Sequence, residues 1–314
     1  MDILSKITPI NIVQEKKKFF SNKRHNPQLK YSSEIIEEEI VELGYPDETL
    51  ALAVANNLDE VCRSYHQQNY GELLSIDEVK NQISDFVKSQ GISSEVDVVY
   101  ANDIPSRGRV NKKRLFVNLD YPFHSVDIKS FIYHEIGTHI LRRINHDRQD
   151  WAEKFQPELY PQYEFIEEGL AVFHSLLPLK LKMPYRSMRL YYAVFIAQHN
   201  SFADTFSTLL PFCKDQEECW KLSIRVKRGL SDTSLPGGFT KDIAYFQGFI
   251  QVLQILQKKD SAIEKLYIGK LPYDLLNTLF PNSLPPILPI FFTDDSEYYY
   301  QQLKKAIQQN KKYI

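Results

Sequence analysis

The stretch His134-Glu135-Ile136-Gly137-Thr138-His139 places two imidazoles and a carboxylate within six residues, directly after the apolar run Phe131-Ile132-Tyr133. Imidazole and carboxylate are the usual donors of a zinc ion that keeps an open position for water. The hydrolytic signature H-E-x-x-H sets its histidines four apart on one helix face, with the glutamate beside them as general base. Here the histidines are five apart. At about 100° per residue, a regular α-helix leaves the two rings roughly 140° apart, too far round to share an ion at about 2.1 Å. A single π-type turn returns them to one face, and Gly137 is the position where it is expected. The spacing therefore predicts a helix with a local bulge at its catalytic turn.

A site of this kind needs a third protein ligand. Glu167-Glu168-Gly169-Leu170-Ala171 supplies the candidates, because the segment 165–174 reads as an apolar helix in which an adjacent acidic pair is hard to explain by packing. A buried glutamate needs a cation. Roughly thirty residues separate this pair from His139, which suits a helix, a loop and a second helix packed alongside.

The two motifs together, HEIGTH and EEGLA, resemble the microtubule-associated tyrosine carboxypeptidase family, which is shared with bacterial proteins carrying a QEGLA motif. The later runs Lys227-Arg228-Gly229-Leu230-Ser231-Asp232-Thr233-Ser234 and Phe239-Thr240-Lys241-Asp242-Ile243-Ala244-Tyr245 add to the resemblance, which extends from Asn26-Pro27 to the proline-rich segment near Pro285. It implies an α+β, mostly helical fold of the gluzincin type, with a small antiparallel sheet before the metal-binding helix. It also implies that Glu168, directly before Gly169, is the third ligand beside His134 and His139. The activity implied is removal of a C-terminal residue, tyrosine or another aromatic, from a protein or peptide.

With one Zn2+ per chain, the bound water would be acidified and the scissile carbonyl polarised, while Glu135 takes the proton and passes it to the leaving amine. A purely structural metal is disfavoured, since such sites close with four protein ligands, often thiolates, and no cysteine is near. Two other readings stay open: a catalytically silent or regulatory binding protein on the same fold, and an endopeptidase. Retention of Glu135 argues against the silent form, which has no need of a base.

The elements that must position these groups follow from periodicity. A single catalytic domain spanning 1–314 is expected, with a mainly helical part over 1–93, the sheet and metal helices over 94–180, and a helical part with a substrate loop over 181–314. Ser33–Val41 reads as an acidic amphipathic helix stopped by Gly44-Tyr45-Pro46, followed by helices from Thr49 to about Tyr65 and from Ser75 or Asp77 to about Ser89. Residues 95–100 and 114–119 read as strands, joined through Pro105–Asn111. His146 is a weak rival ligand and reads better as an exposed polar residue. His174 reads either as a partner of the metal ligands or as a satisfied core histidine.

Leu235-Pro236-Gly237-Gly238-Phe239 breaks the chain after a basic run. Composition alone leaves a surface turn and a loop over a site equally open. The resemblance favours the loop, with Arg228 and Lys241 receiving a substrate carboxylate through charge-assisted hydrogen bonds. Tyr245, at the start of a long buried helix, is a candidate donor to the oxyanion of a tetrahedral intermediate. A plain core tyrosine is the alternative in a chain with 19 of them.

Composition bounds the rest. The formal net charge is −2, from 38 Lys and Arg against 40 Asp and Glu, so neither nucleic acid nor an anionic membrane is suggested as partner. Cys62, Cys213 and Cys219 show no metal-ligand spacing and fit reduced thiols. The start Met1-Asp2-Ile3-Leu4-Ser5-Lys6 lacks the apolar core of a signal peptide, and no apolar run approaches about 18 residues. A cytoplasmic protein without a membrane span is expected, with export by a route lacking such a signal still open.

Overall fold

The hydrophobic period changes near residue 95, and there the chain forms its sheet. Three strands, β1 (Asp97–Ala101), β2 (Gly108–Asn111) and β3 (Arg114–Asn118), lie in the order β1-β3-β2. Leu115 and Val117 on β3 are fully buried and alternate with half-buried Phe116, as a strand covered on one face requires. Lys112, in the left-handed region at φ 56°, turns β2 tightly into β3, with Asn111 opposite Arg114. The sheet is mixed, which corrects the expected antiparallel one: β2 runs antiparallel to β3, but β1 runs parallel to it, Val99 facing Phe116. Three successive strands alternate in direction. With the last one in the centre, the first and third must pair in parallel.

The computed structural model describes residues 3–102, 104, 106–258 and 262–314; Met1, Asp2 and Pro105, on which part of the reading above fell, lie outside the described residues. Two compact units are formed, each from two separated stretches of chain. One comprises Met1–Arg63 and Tyr185–Phe246, the other Ser64–Pro184 and Gln247–Ile314.

In the first unit, Phe19 is fully buried against Phe202, Phe206 and Trp220, with ring centroids 4.8 to 5.3 Å apart. A second cluster joins Ile7, Ile40 and Phe239, with Ile35 and Leu230 packed around it. This cluster explains why the helix expected over Ser33–Val41 shrinks to Glu37–Ile40. Ile36 is extended at φ −97° and ψ 146°, and one turn of three consecutive glutamates has no length over which to recover the cost of nucleation. The helix expected from Thr49 to Tyr65 is split into Glu48–Ala55 and Leu58–His66, because Asn56-Asn57 breaks it. Cys62, Cys213 and Cys219 are free thiols.

The second unit holds the sheet and the helices α1 (Ile76–Ser89), α2 (Asp127–His134), α3 (Leu141–Asp147) and α4 (Tyr163–Leu176). α1 opens with a capping box. The Ser75 hydroxyl accepts from the Glu78 N–H at 3.3 Å and the Glu78 carboxylate accepts from the Ser75 N–H at 2.8 Å. α4 carries Gly169, where an added Cβ would lie 2.2 Å from the Gly248 backbone. The glycine of EEGLA is thus required by backbone-to-backbone packing of two helices. The segment 284–290, which leads into a short helix at Ile290, is held by side-chain amides: Gln149 bonds both polar groups of Leu284, Asn145 those of Ile287, and Gln90 bonds Leu288 and Ile290. No helix among the described residues is long and apolar enough to cross a membrane.

Candidate metal centre

Between α2 and α3 the chain forms a π-helix over Glu135–Ile140, as the five-residue spacing of the histidines predicts. Its register is held by side chains. The Thr138 hydroxyl donates to the Tyr133 carbonyl at 2.9 Å, and the Tyr267 hydroxyl donates to the Gly137 carbonyl at 2.5 Å. A Cβ on Gly137 would meet the Phe291 ring at 2.5 Å, so that position is glycine because an aromatic ring covers it.

The wider turn brings the two imidazoles together, with ring centroids 4.8 Å apart and planes at 78°. Glu168 on α4 completes the group: one ligand atom each from His134, His139 and Glu168 lies within 4.8 Å of the others. His139 Nε2 is 3.8 Å from Glu168 Oε2. That oxygen is buried and has no hydrogen-bond partner within the protein, an arrangement that calls for a cation or a proton. Two nitrogens and one oxygen, converging on one point with a buried oxygen unsatisfied, fit a divalent metal.

The charges are sorted by environment. Burial, then the neighbouring His139, lowers the His134 imidazole to about 3, which keeps it neutral and able to ligate. Burial alone would lower His139 as well, but the Glu168 charge, the Glu167 hydrogen bond and Glu135 outweigh it and raise the group to about 9. Burial pushes Glu168 up to about 7 despite the nearby His139. Glu135 is raised too, chiefly by burial, with His139 and Arg107 opposing. A carboxylate made more basic than usual is suited to accept a proton.

Glu167 behaves in the opposite way. Its burial is outweighed by Lys270, Arg142 and His139, which hold it far below the usual carboxylate range. Oε1 accepts from His139 Nδ1 at 2.6 Å and from Lys270 Nζ at 2.8 Å, while Oε2 accepts from the Arg142 guanidinium. Arg142 is fully buried and donates also to the carbonyls of Leu266 at 2.8 Å and Gly269 at 2.7 Å.

The remaining histidines are settled by their partners. His146 is neither ligand nor exposed. It is buried, its ring 5.3 Å from that of Trp151, and its Nδ1 accepts from the Lys270 N–H at 3.3 Å. The helix continuing through Asp147 turns this side chain inward rather than to solvent. His174 is a satisfied core histidine. With the Thr138 proton given to Tyr133, counting donors puts a proton on His174 Nδ1, bonded to Thr138 at 2.8 Å, and leaves Nε2 to accept from Tyr299 at 3.0 Å.

Arg228, Lys241 and Tyr245 belong to the other unit and are half-buried there. Asp242, buried among them, takes a bidentate bond from Arg225, both distances 2.8 Å, and lies 3.8 Å from Arg228. The Arg228 guanidinium lies over Phe239 at 4.3 Å, and its Nε is buried without a hydrogen-bond partner. Arg225 also bonds the Tyr245 hydroxyl. The Pro-Gly-Gly turn is anchored by Lys227, fully buried, whose ammonium donates to the carbonyls of Ala197 at 2.9 Å, Leu235 at 2.8 Å and Asn200. Gly237 and Gly238 have φ of 107° and 133°, and a Cβ on Gly238 would fall 2.1 Å from the Val226 carbonyl oxygen.

Arg142, Lys270, Tyr267 and Arg225 are the participants that sequence reasoning missed. A signal existed for one of them. An acidic pair on an apolar helix requires cations, and Arg142 stands three residues beyond His139, one helical turn along.

Comparison with known proteins agrees with the motifs. The family described as microtubule-associated tyrosine carboxypeptidase matches residues 23–284. The rat microtubule-associated tyrosine carboxypeptidase 1 is 30% identical over 98% of this chain and 69% of its own length. The human protein of that name is 29% identical over 98% of this chain and 68% of its own. The mouse protein MATCAP2 is 29% identical over 98% of this chain, which spans only 62% of that relative. With a match covering most of its length, this chain belongs to the microtubule-associated tyrosine carboxypeptidase family.

Proposed function

We propose that this chain is a zinc-dependent carboxypeptidase of the gluzincin type, acting on the C-terminus of a protein or peptide, with tyrosine or another aromatic as the residue removed. The observation that carries the reading is the convergence of His134, His139 and Glu168 within 4.8 Å, with Glu168 Oε2 buried and unsatisfied and Glu135 in the same π turn. The substrate class comes from the names of the relatives. Zinc at these three residues supplies a Lewis acid and an acidified water at neutral pH. Glu135, its basicity raised by burial, takes the proton of the attacking water and delivers it to the leaving amine. Arg228 and Lys241 receive the substrate's terminal carboxylate, and Tyr245 donates to the developing oxyanion.

The test is a mass-spectrometric assay on peptides of one sequence ending in a free acid or an amide. The free acid should lose its last residue and the amide should resist. Glu135→Gln keeps the shape and removes only the proton acceptor, so turnover should fall about 10²-fold or more with zinc content unchanged. Arg228→Ala or Lys241→Ala should narrow the gap between acid and amide. Equal cleavage of both peptides by the wild type would make an endopeptidase the better reading, and undiminished turnover by Glu135→Gln would assign the proton transfer elsewhere.

A further inference from the structure

We infer that Glu167 is a positioning residue which, clamped by Arg142 and Lys270, fixes the ring of His139 and directs its Nε2 to the metal; the inference rests on the zinc reading above. Two adjacent glutamates on one helix present four oxygens, and the structure divides them. The Glu167 side chain is only 3% exposed, and both its oxygens are already engaged. Neither of its oxygens is left without a partner, in contrast to Glu168 Oε2. By accepting from Nδ1 it leaves Nε2, 3.8 Å from Glu168, as the atom that ligates.

The clamp is itself fixed. Arg142 is tied to the carbonyls of Leu266 and Gly269, and the Lys270 backbone N–H bonds His146 Nδ1. The segment 266–270 therefore reaches His139 through one carboxylate. Two cations beside a single carboxylate exceed what its charge needs. A second anion is at hand in Glu168, so the two cations and two carboxylates balance in a group held in a fixed geometry.

The test is metal affinity in the full chain, with zinc measured by competition with a chromophoric chelator and Co2+ followed by its visible d–d bands. Glu167→Gln preserves shape and loses the charge; zinc affinity should fall 10- to 100-fold and the cobalt bands should shift in position or intensity. Lys270→Met, which leaves Arg142 in place, should move both readouts the same way by a smaller factor. Thermal melting of the metal-free proteins gives their folded fraction. Should Glu167→Gln not fold, Lys270→Met decides, and wild-type affinity with an unshifted spectrum in that variant overturns the inference. Zinc lost completely in Glu167→Gln but kept in Glu168→Gln would make Glu167 the ligand and overturn it too. A wild type that binds no zinc would instead sink the zinc reading itself, and the positioning role with it.

Discussion

Glu167 and Glu168 differ by one step along a helix, yet three cationic neighbours hold the first ionised while burial pushes the second up to about 7. His139 stands between them and is raised to about 9, so below that pH it carries a proton that a metal must displace. The direction follows. Zinc binding should tighten as pH rises from about 7 to about 9, because the competing proton is progressively lost, and flatten above that range. Calorimetry in two buffers of different ionisation enthalpy should report about one proton released near pH 7.5 and close to none at pH 9.5. Equal heats in both buffers at pH 7.5 would show that His139 is already deprotonated.

The π turn is the element on which the site depends, and its distinctive bond is made by a residue far along the chain. Tyr267→Phe leaves the Gly137 carbonyl buried without its hydroxyl donor and should cost about 1–3 kcal/mol, read as a lower denaturation midpoint at unchanged slope. Wild-type stability would mean that another group replaces the bond. This turn was legible in the sequence because a spacing of five between two histidines proposed to share a metal admits few helical solutions. The α4 helix and the acidic pair were legible for a similar reason, an apolar period interrupted by charge. The strand order was not. Antiparallel and mixed sheets of three short strands share one local pattern, and only the placement of β3 in the centre separates them. Arg142 was missed and His146 was misread as exposed because the partners that bury them, Leu266, Gly269 and Lys270, lie more than a hundred residues away. Ser33–Val41 carries a helical period, but the contacts of Ile35 and Ile40 with Ile7 and Phe239 override it.

On the scale of the whole molecule, the proposed metal ligands and the groups that hold them come from different stretches of the same unit. His134, His139 and Glu168 are supplied by Ser64–Pro184, whereas Tyr267, Lys270 and Phe291 are supplied by Gln247–Ile314. Residues 64–184 expressed alone would leave Arg142 and Glu167 short of partners, and breaking a buried charge pair costs about 3–5 kcal/mol against a total stability of about 5–15 kcal/mol. That fragment should therefore show no cooperative thermal transition by circular dichroism; a sharp one would mean that the second stretch is dispensable. The same arrangement bears on synthesis. The ribosome makes the HEIGTH and EEGLA segments about a hundred residues before Tyr267 and Lys270, a delay of about 5–20 s at about 5–20 residues per second. During that interval the two histidines and two glutamates exist without the lysine that offsets their charge and without the phenol that holds their turn. A nascent chain can thus offer loose histidine and carboxylate groups to any passing metal, while the geometry that holds them is complete only once the chain has been made through Lys270.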